Sequence, residues 1–116
     1  MAIAVAQTKE TVALAYTAIG AYVSAHTADP GTTGTAEATG GSPAYARKLT
    51  TWTGGTVDGV VTGSQVTIDV PAGTYTYIGI FSAVTVGNFV DKYLLPVAQT
   101  FASQGQLLVT PSMTIT

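Results

Sequence analysis

Apolar positions recur along this chain in two rhythms. Near the N-terminus Val12, Ala15, Tyr16 and Ile19 stand three, four and seven residues apart, the repeat of one face of a helix. Thr8 ahead of Lys9 and Glu10 offers an N-cap with an acid in the first turn, and Gly20 offers a stop. The spacing therefore predicts a helix over residues 9–19 with that stripe as its apolar face. Residues 1–7 form an apolar arm ahead of it, in which Ile3 and Val5 share one side when extended.

After Gly20 the period drops to two. Tyr22, Ser24 and His26 alternate with Val23 and Ala25, the pattern of a strand over residues 21–27. Asp29-Pro30-Gly31 closes it, because proline presets a turn and glycine accepts positive φ. Residues 32–42 then form a long Gly/Thr/Ala loop, a length associated with function or mobility. Beyond it, apolar runs bounded by Gly or Pro predict strands over 45–53, 56–61, 65–70, 74–81, 88–95 and 107–115. Short strands at such regular spacing argue for a sandwich or a barrel.

Composition narrows the partners. The chain has 116 residues, enough for one core, and it is 47% hydrophobic but only 9% charged, against about 25% in an average soluble domain. With a mean hydropathy of +0.38, part of its surface is expected to be covered by other chains. Four Lys and Arg residues and a net charge of −2 exclude the clustered basic footprint that nucleic acid requires. No cysteine is present, which removes disulfides, thiol nucleophiles and thiolate metal sites. The N-terminus lacks the basic and long apolar regions of a secretory signal, and no apolar run is long enough for a bilayer, so synthesis in a cytoplasm and no membrane partner are expected.

Few residues carry reactive chemistry. His26 is the single histidine; with Asp29 it suggests a base and its orienter, but a zinc site needs three or four ligands and a turn-flanking pair is ordinarily structural. Asp58, Asp69 and Asp91 lie beside strands as turn acids, without the sugar-stacking surroundings of a glycosidase pair. No Ser-His-Asp order, phosphate loop or HExxH is found, so neither an enzyme nor a cofactor is expected. Arg47 has a fork suited to Asp29 or Glu37, a pairing that would pin the long loop to the sheet.

Two linked segments, His26-Thr27-Ala28-Asp29-Pro30-Gly31 and Gly40-Gly41-Ser42-Pro43-Ala44-Tyr45-Ala46-Arg47-Lys48, resemble a segment of small β-sandwich virion proteins of tailed bacteriophages, variously head-decoration, minor-tail or tail-fibre proteins. Residues 71–83, Gly87-Asn88-Phe89-Val90-Asp91-Lys92 and Thr100-Phe101-Ala102-Ser103-Gln104-Gly105 extend the likeness over about residues 20–116. Phe81-Ser82 departs from the more usual Trp-Asp of that pattern. The resemblance implies an all-β, jelly-roll-like antiparallel β-sandwich with one short N-terminal helix, read here as an arm (1–7) and a single domain (8–116). It further implies a structural virion protein. The primary expectation is a capsid decoration protein on the outer head surface, a homotrimer bound to the major capsid protein. The alternative is a minor-tail, baseplate or tail-fibre domain that binds host glycan. Ile3 and Val5 of the arm and Thr32, Thr33, Thr35 and Glu37 of the loop are the expected partner contacts, while His26, Asp29 and Arg47 are expected to hold the turn and the ion pair.

Overall fold

The computed structural model describes residues 2–116. Helix α1 (Ala6–Thr17) precedes strands β1 (Tyr22–His26), β2 (Lys48–Leu49), β3 (Trp52–Thr53), β4 (Val60–Gly63), β5 (Val66–Val70), β6 (Gly73–Phe81), β7 (Phe89–Phe101), β8 (Gly105–Val109) and β9 (Ser112–Thr114). All pairings between these strands are antiparallel. One sheet runs β2-β1-β6-β7. The second layer is built from β3-β4-β9 and β5-β8, whose registers nearly coincide: Thr62 faces Ser112 and Val66 faces Val109. Residues 60–70 and 105–114 thus form one long bent ladder. It breaks at Pro111, which has no N–H to donate and whose carbonyl instead accepts the Gly63 N–H at 2.7 Å. The fold is all-β and sandwich-like, with one short helix.

Alternation explains the core. Val23 and Ala25 of β1 lie beside Ile80 and Ile78 of β6, and they meet Val66, Ile68, Val70, Leu107 and Val109 from the other layer. Ile68, Ile78 and Ile80 are fully buried, each worth about 1.5–3 kcal/mol relative to an exposed side chain. The other face of β1 and β6, carrying Ser24, His26, Gly79 and Phe81, is buried as well. It is closed by the loop after β1: Gly34 lies so near Phe81 that a Cβ there would sit 2.6 Å from the ring edge. Glu37 bridges back to His26 on the free edge of β1. The loop expected over 32–42 is therefore a covering layer.

Several expected boundaries move, each for a tertiary reason. The helix spans 6–17 rather than 9–19, with Val5 as an N-cap that makes no side-chain bond and no acid in its first turn. Its buried positions are Glu10 and Ala13, so of the expected apolar face Val12, Ala15 and Ile19 are turned outward, Val12 40% and Ile19 57% exposed, while Tyr16 is half-buried against Trp52. Ala6 and Gln7, placed in the arm by sequence, form the start of α1. The strand expected over 45–53 divides at Thr50, whose N–H bonds Ala21 and whose hydroxyl bonds the Ser64 carbonyl; β2 joins one layer and β3 the other. Residues 56–59 form a turn rather than strand. Residues 107–115 divide at Pro111. The strand expected over 88–95 continues to Phe101, passing Pro96 as a bulge: Tyr77 faces Leu94 while Tyr75 faces Gln99.

Candidate functional site

The densest polar cluster lies where the covering loop meets the loop between β6 and β7. Arg47 follows the loop segment and precedes β2, which places its side chain across both. Its Nε and Nη2 donate to the two oxygens of Glu37 at 2.8 and 2.9 Å, a bidentate pair. Its Nη1 donates to the carbonyls of Ala83 (3.0 Å) and Val86 (2.7 Å), and its guanidinium carbon lies 3.4 Å from the centre of the Phe81 ring. The Tyr45 hydroxyl donates to Glu37 at 2.7 Å and accepts the Ala25 N–H at 3.1 Å. Burial by itself would raise the Glu37 carboxyl, but hydrogen bonds from Arg47 and Tyr45 and the Arg47 charge outweigh it and hold it below its ordinary value. Burial likewise drives the Tyr45 hydroxyl well above its usual range. The ion pair with Glu37 strengthens the proton hold of Arg47.

Beneath this clamp lies His26, fully buried. Its Nδ1 is 2.8 Å from the Thr35 carbonyl and its Nε2 is 2.7 Å from the Ser24 hydroxyl. Because a carbonyl can only accept, Nδ1 carries the proton and Nε2 accepts from Ser24 in the neutral ring. Phe81 stacks near-parallel to the imidazole and Phe89 meets it edge-on. Desolvation is the main cause that lowers the His26 pKa, against weaker support for the cation from the Thr35 carbonyl and Glu37.

The expected site residues separate into inward and outward groups. Glu37 and Arg47 form the clamp, and His26 is buried beneath it. Asp29 lies apart from it: its carboxylate accepts the Gly31 N–H at 2.8 Å and pairs with Lys92 of β7, and the Lys92 bond leads the causes that lower its pKa. Thr35 uses its carbonyl on His26 and its hydroxyl on the Pro30 carbonyl. Thr32 and Thr33 are exposed at the loop tip, Ile3 is half-buried, and Val5 is exposed.

Three features escape a linear reading. Glu10, inside α1, accepts backbone N–H groups of Gly55, Asp58 and Gly59 and so ties the helix to the turn before β4. The Gly55 bond is the leading cause that lowers its pKa. Its spacing from Ala13 and Tyr16 is the one signal that marked the inward face. Second, Lys92 is the partner of Asp29 across 63 residues, a separation that no local spacing reveals. Third, a cleft of about 630 Å³ opens between the free edges of β7 and β8, lined by Tyr93, Leu95, Phe101, Leu107 and Val109, with Leu94 and Leu108 exposed at its rim. Among the described residues, no three His, Cys, Asp or Glu side chains gather as a metal group, and no helix is long and apolar enough to cross a membrane.

The polar atoms of the clamp are engaged with one another, so the arrangement fixes loops and presents the outer surface in a defined shape. A family model described as Podophage GP4 fiber I protein gp80 matches residues 6–115. No curated protein matches the chain.

Proposed function

Because the chain belongs to the Podophage GP4 fiber I protein gp80 family, and so is a structural protein of the phage virion, we propose that it is a self-associating building block of a virion fibre. The observation that carries this reading is the solvent side of α1. Val12 is exposed there beside Thr8 and Ala15, and Ile19, just past the end of the helix, extends the same apolar surface. Val12 is 40% and Ile19 57% exposed, and this surface lies away from the face that Glu10 and Ala13 turn inward. The same surface on further copies would cover it, and a homotrimer is the assembly proposed. Ile3, Val5, Thr32 and Thr33 are the contacts proposed toward a neighbouring virion subunit. Those partners are protein surfaces: of the four basic side chains, Arg47 and Lys92 are already held in ion pairs, which leaves little for nucleic acid and favours no membrane surface.

Light scattering on the purified full chain tests the association. A trimer that Val12→Asp converts to a monomer, with the circular dichroism unchanged, supports it; a monomeric wild type at high concentration overturns it. A second reading, decoration of the outer capsid face in contact with the major capsid protein, is favoured by the charge-poor surface, which suits a small domain laid on a protein lattice. Copy number per purified particle, counted by mass spectrometry against the major capsid protein, separates the two. A fixed lattice fraction of hundreds of copies selects decoration, and a small multiple of the tail symmetry selects the fibre.

A further inference from the structure

We propose that residues 27–41 form an acid-released flap, held over the outer face of the β1–β6–β7 sheet by three contacts and opened when the buried imidazole of His26 beneath it takes up a proton. The three contacts lie along the flap. Asp29 pairs with Lys92 of β7, the Thr35 carbonyl receives His26 Nδ1–H at 2.8 Å, and Glu37 receives Arg47 and Tyr45. Backbone bonds from Thr27 to Ala36 and from Ala38 to Ala25 close its base.

The imidazole is fully buried and closely packed. On β6, Gly79 is required below it, since a Cβ there would lie 2.8 Å from Nε2 and 2.6 Å from the Ser24 oxygen. Phe81 and Phe89 close its sides. The charged groups around it are Glu37 and Arg47, which neutralise each other, and on β7 Lys92, in register with Gly79, is paired with Asp29; Ser24 and Gly79 carry no charge. Protonation gives Nε2 a hydrogen aimed at Ser24, whose hydroxyl must turn its own proton away, and it buries a cation with no free counter-charge. With the flap open, the ring meets water and regains an ordinary pKa of about 6.5.

The sign follows from linkage. A histidine whose closed-state pKa is depressed takes up protons preferentially when open, so opening grows as pH falls through 6.5 toward the closed-state value. From pH 7.5 to 5.0 the open-state pKa of about 6.5 sets a ceiling of about 30-fold on this factor, approached the further the closed-state value is depressed. Glu37 and Asp29, both lowered by their partners, release only at still lower pH.

Hydrogen exchange with mass spectrometry on the full chain at pH 7.5 and 5.0, corrected for intrinsic rates, is the test. Peptides within 27–41 should lose protection by up to about 30-fold, while those of β5 and β6 keep theirs. Equal loss in flap and core, or an unchanged flap, overturns the proposal. His26→Gln, neutral at both pH values, should abolish the response. If that variant fails to fold, the wild-type NMR titration decides: flap amides must share their midpoint with the single histidine, below 6.5, and a separate midpoint overturns it.

Discussion

Arg47 reaches four acceptor atoms in two separate loops, and its side chain is only 9% exposed. Truncation therefore leaves Glu37 half-buried without its cation. Arg47→Ala should lose roughly 3 kcal/mol in urea denaturation, and Arg47→Lys should restore less than half, since an ammonium cannot span both carboxylate oxygens and two carbonyls. Ile78 sits between the layers at zero exposure, so Ile78→Ala should lose about 2–5 kcal/mol by the same measurement. At Gly34 two constraints coincide: φ is +81°, and an added Cβ would strike Phe81 at 2.6 Å. Gly34→Ala should lose about 1–3 kcal/mol in thermal melts, with the largest loss of exchange protection in residues 27–41.

At the level of elements, α1 is held by chemistry more than by an apolar face. Glu10 accepts three backbone N–H groups of the turn before β4. Its carboxyl is lowered from an ordinary value of 4.5, so its contribution is present above that value and is lost as pH falls through the folded-state pKa. Glu10→Gln should flatten the acid limb of the melting-temperature profile below about pH 4.5 and raise exchange in residues 55–59. The elements that period alone revealed are those whose burial is decided by alternation: β1, β5 and β6 fall close to the expected ranges. Period misread α1, because Val12, Ala15 and Ile19 make the more apolar stripe while the buried side contains a carboxylate. It also missed Thr50, a polar residue whose long-range bonds divide one apolar run between two layers. Proline at 96 suggested a strand end, but a bulge absorbs its missing donor and β7 continues. Of the clamp, the sequence left Arg47 a choice of two acids; Glu37 takes it because Asp29 is claimed by Lys92.

For the whole molecule, an envelope of 47 × 23 × 23 Å follows the length of β7 and its hairpin with β6. The loop 82–88 closes one end of that hairpin and the turn before β8 begins at the other. The nesting of the two layers also determines how cheaply the chain can find this shape. The β6–β7 hairpin lies inside the sequence interval enclosed by the β5–β8 ladder. Val70 pairs with Gly105 across a long intervening segment, yet Gly73 already faces Phe101 in the inner hairpin. Once the inner hairpin has zipped, the outer strands close a gap of a few residues instead of more than thirty, which lowers the loop-closure entropy by about 1.4 kcal/mol. Pairings that look distant in sequence are thus short in effective contact order, and folding from the 82–88 turn outward is the fast route to this topology.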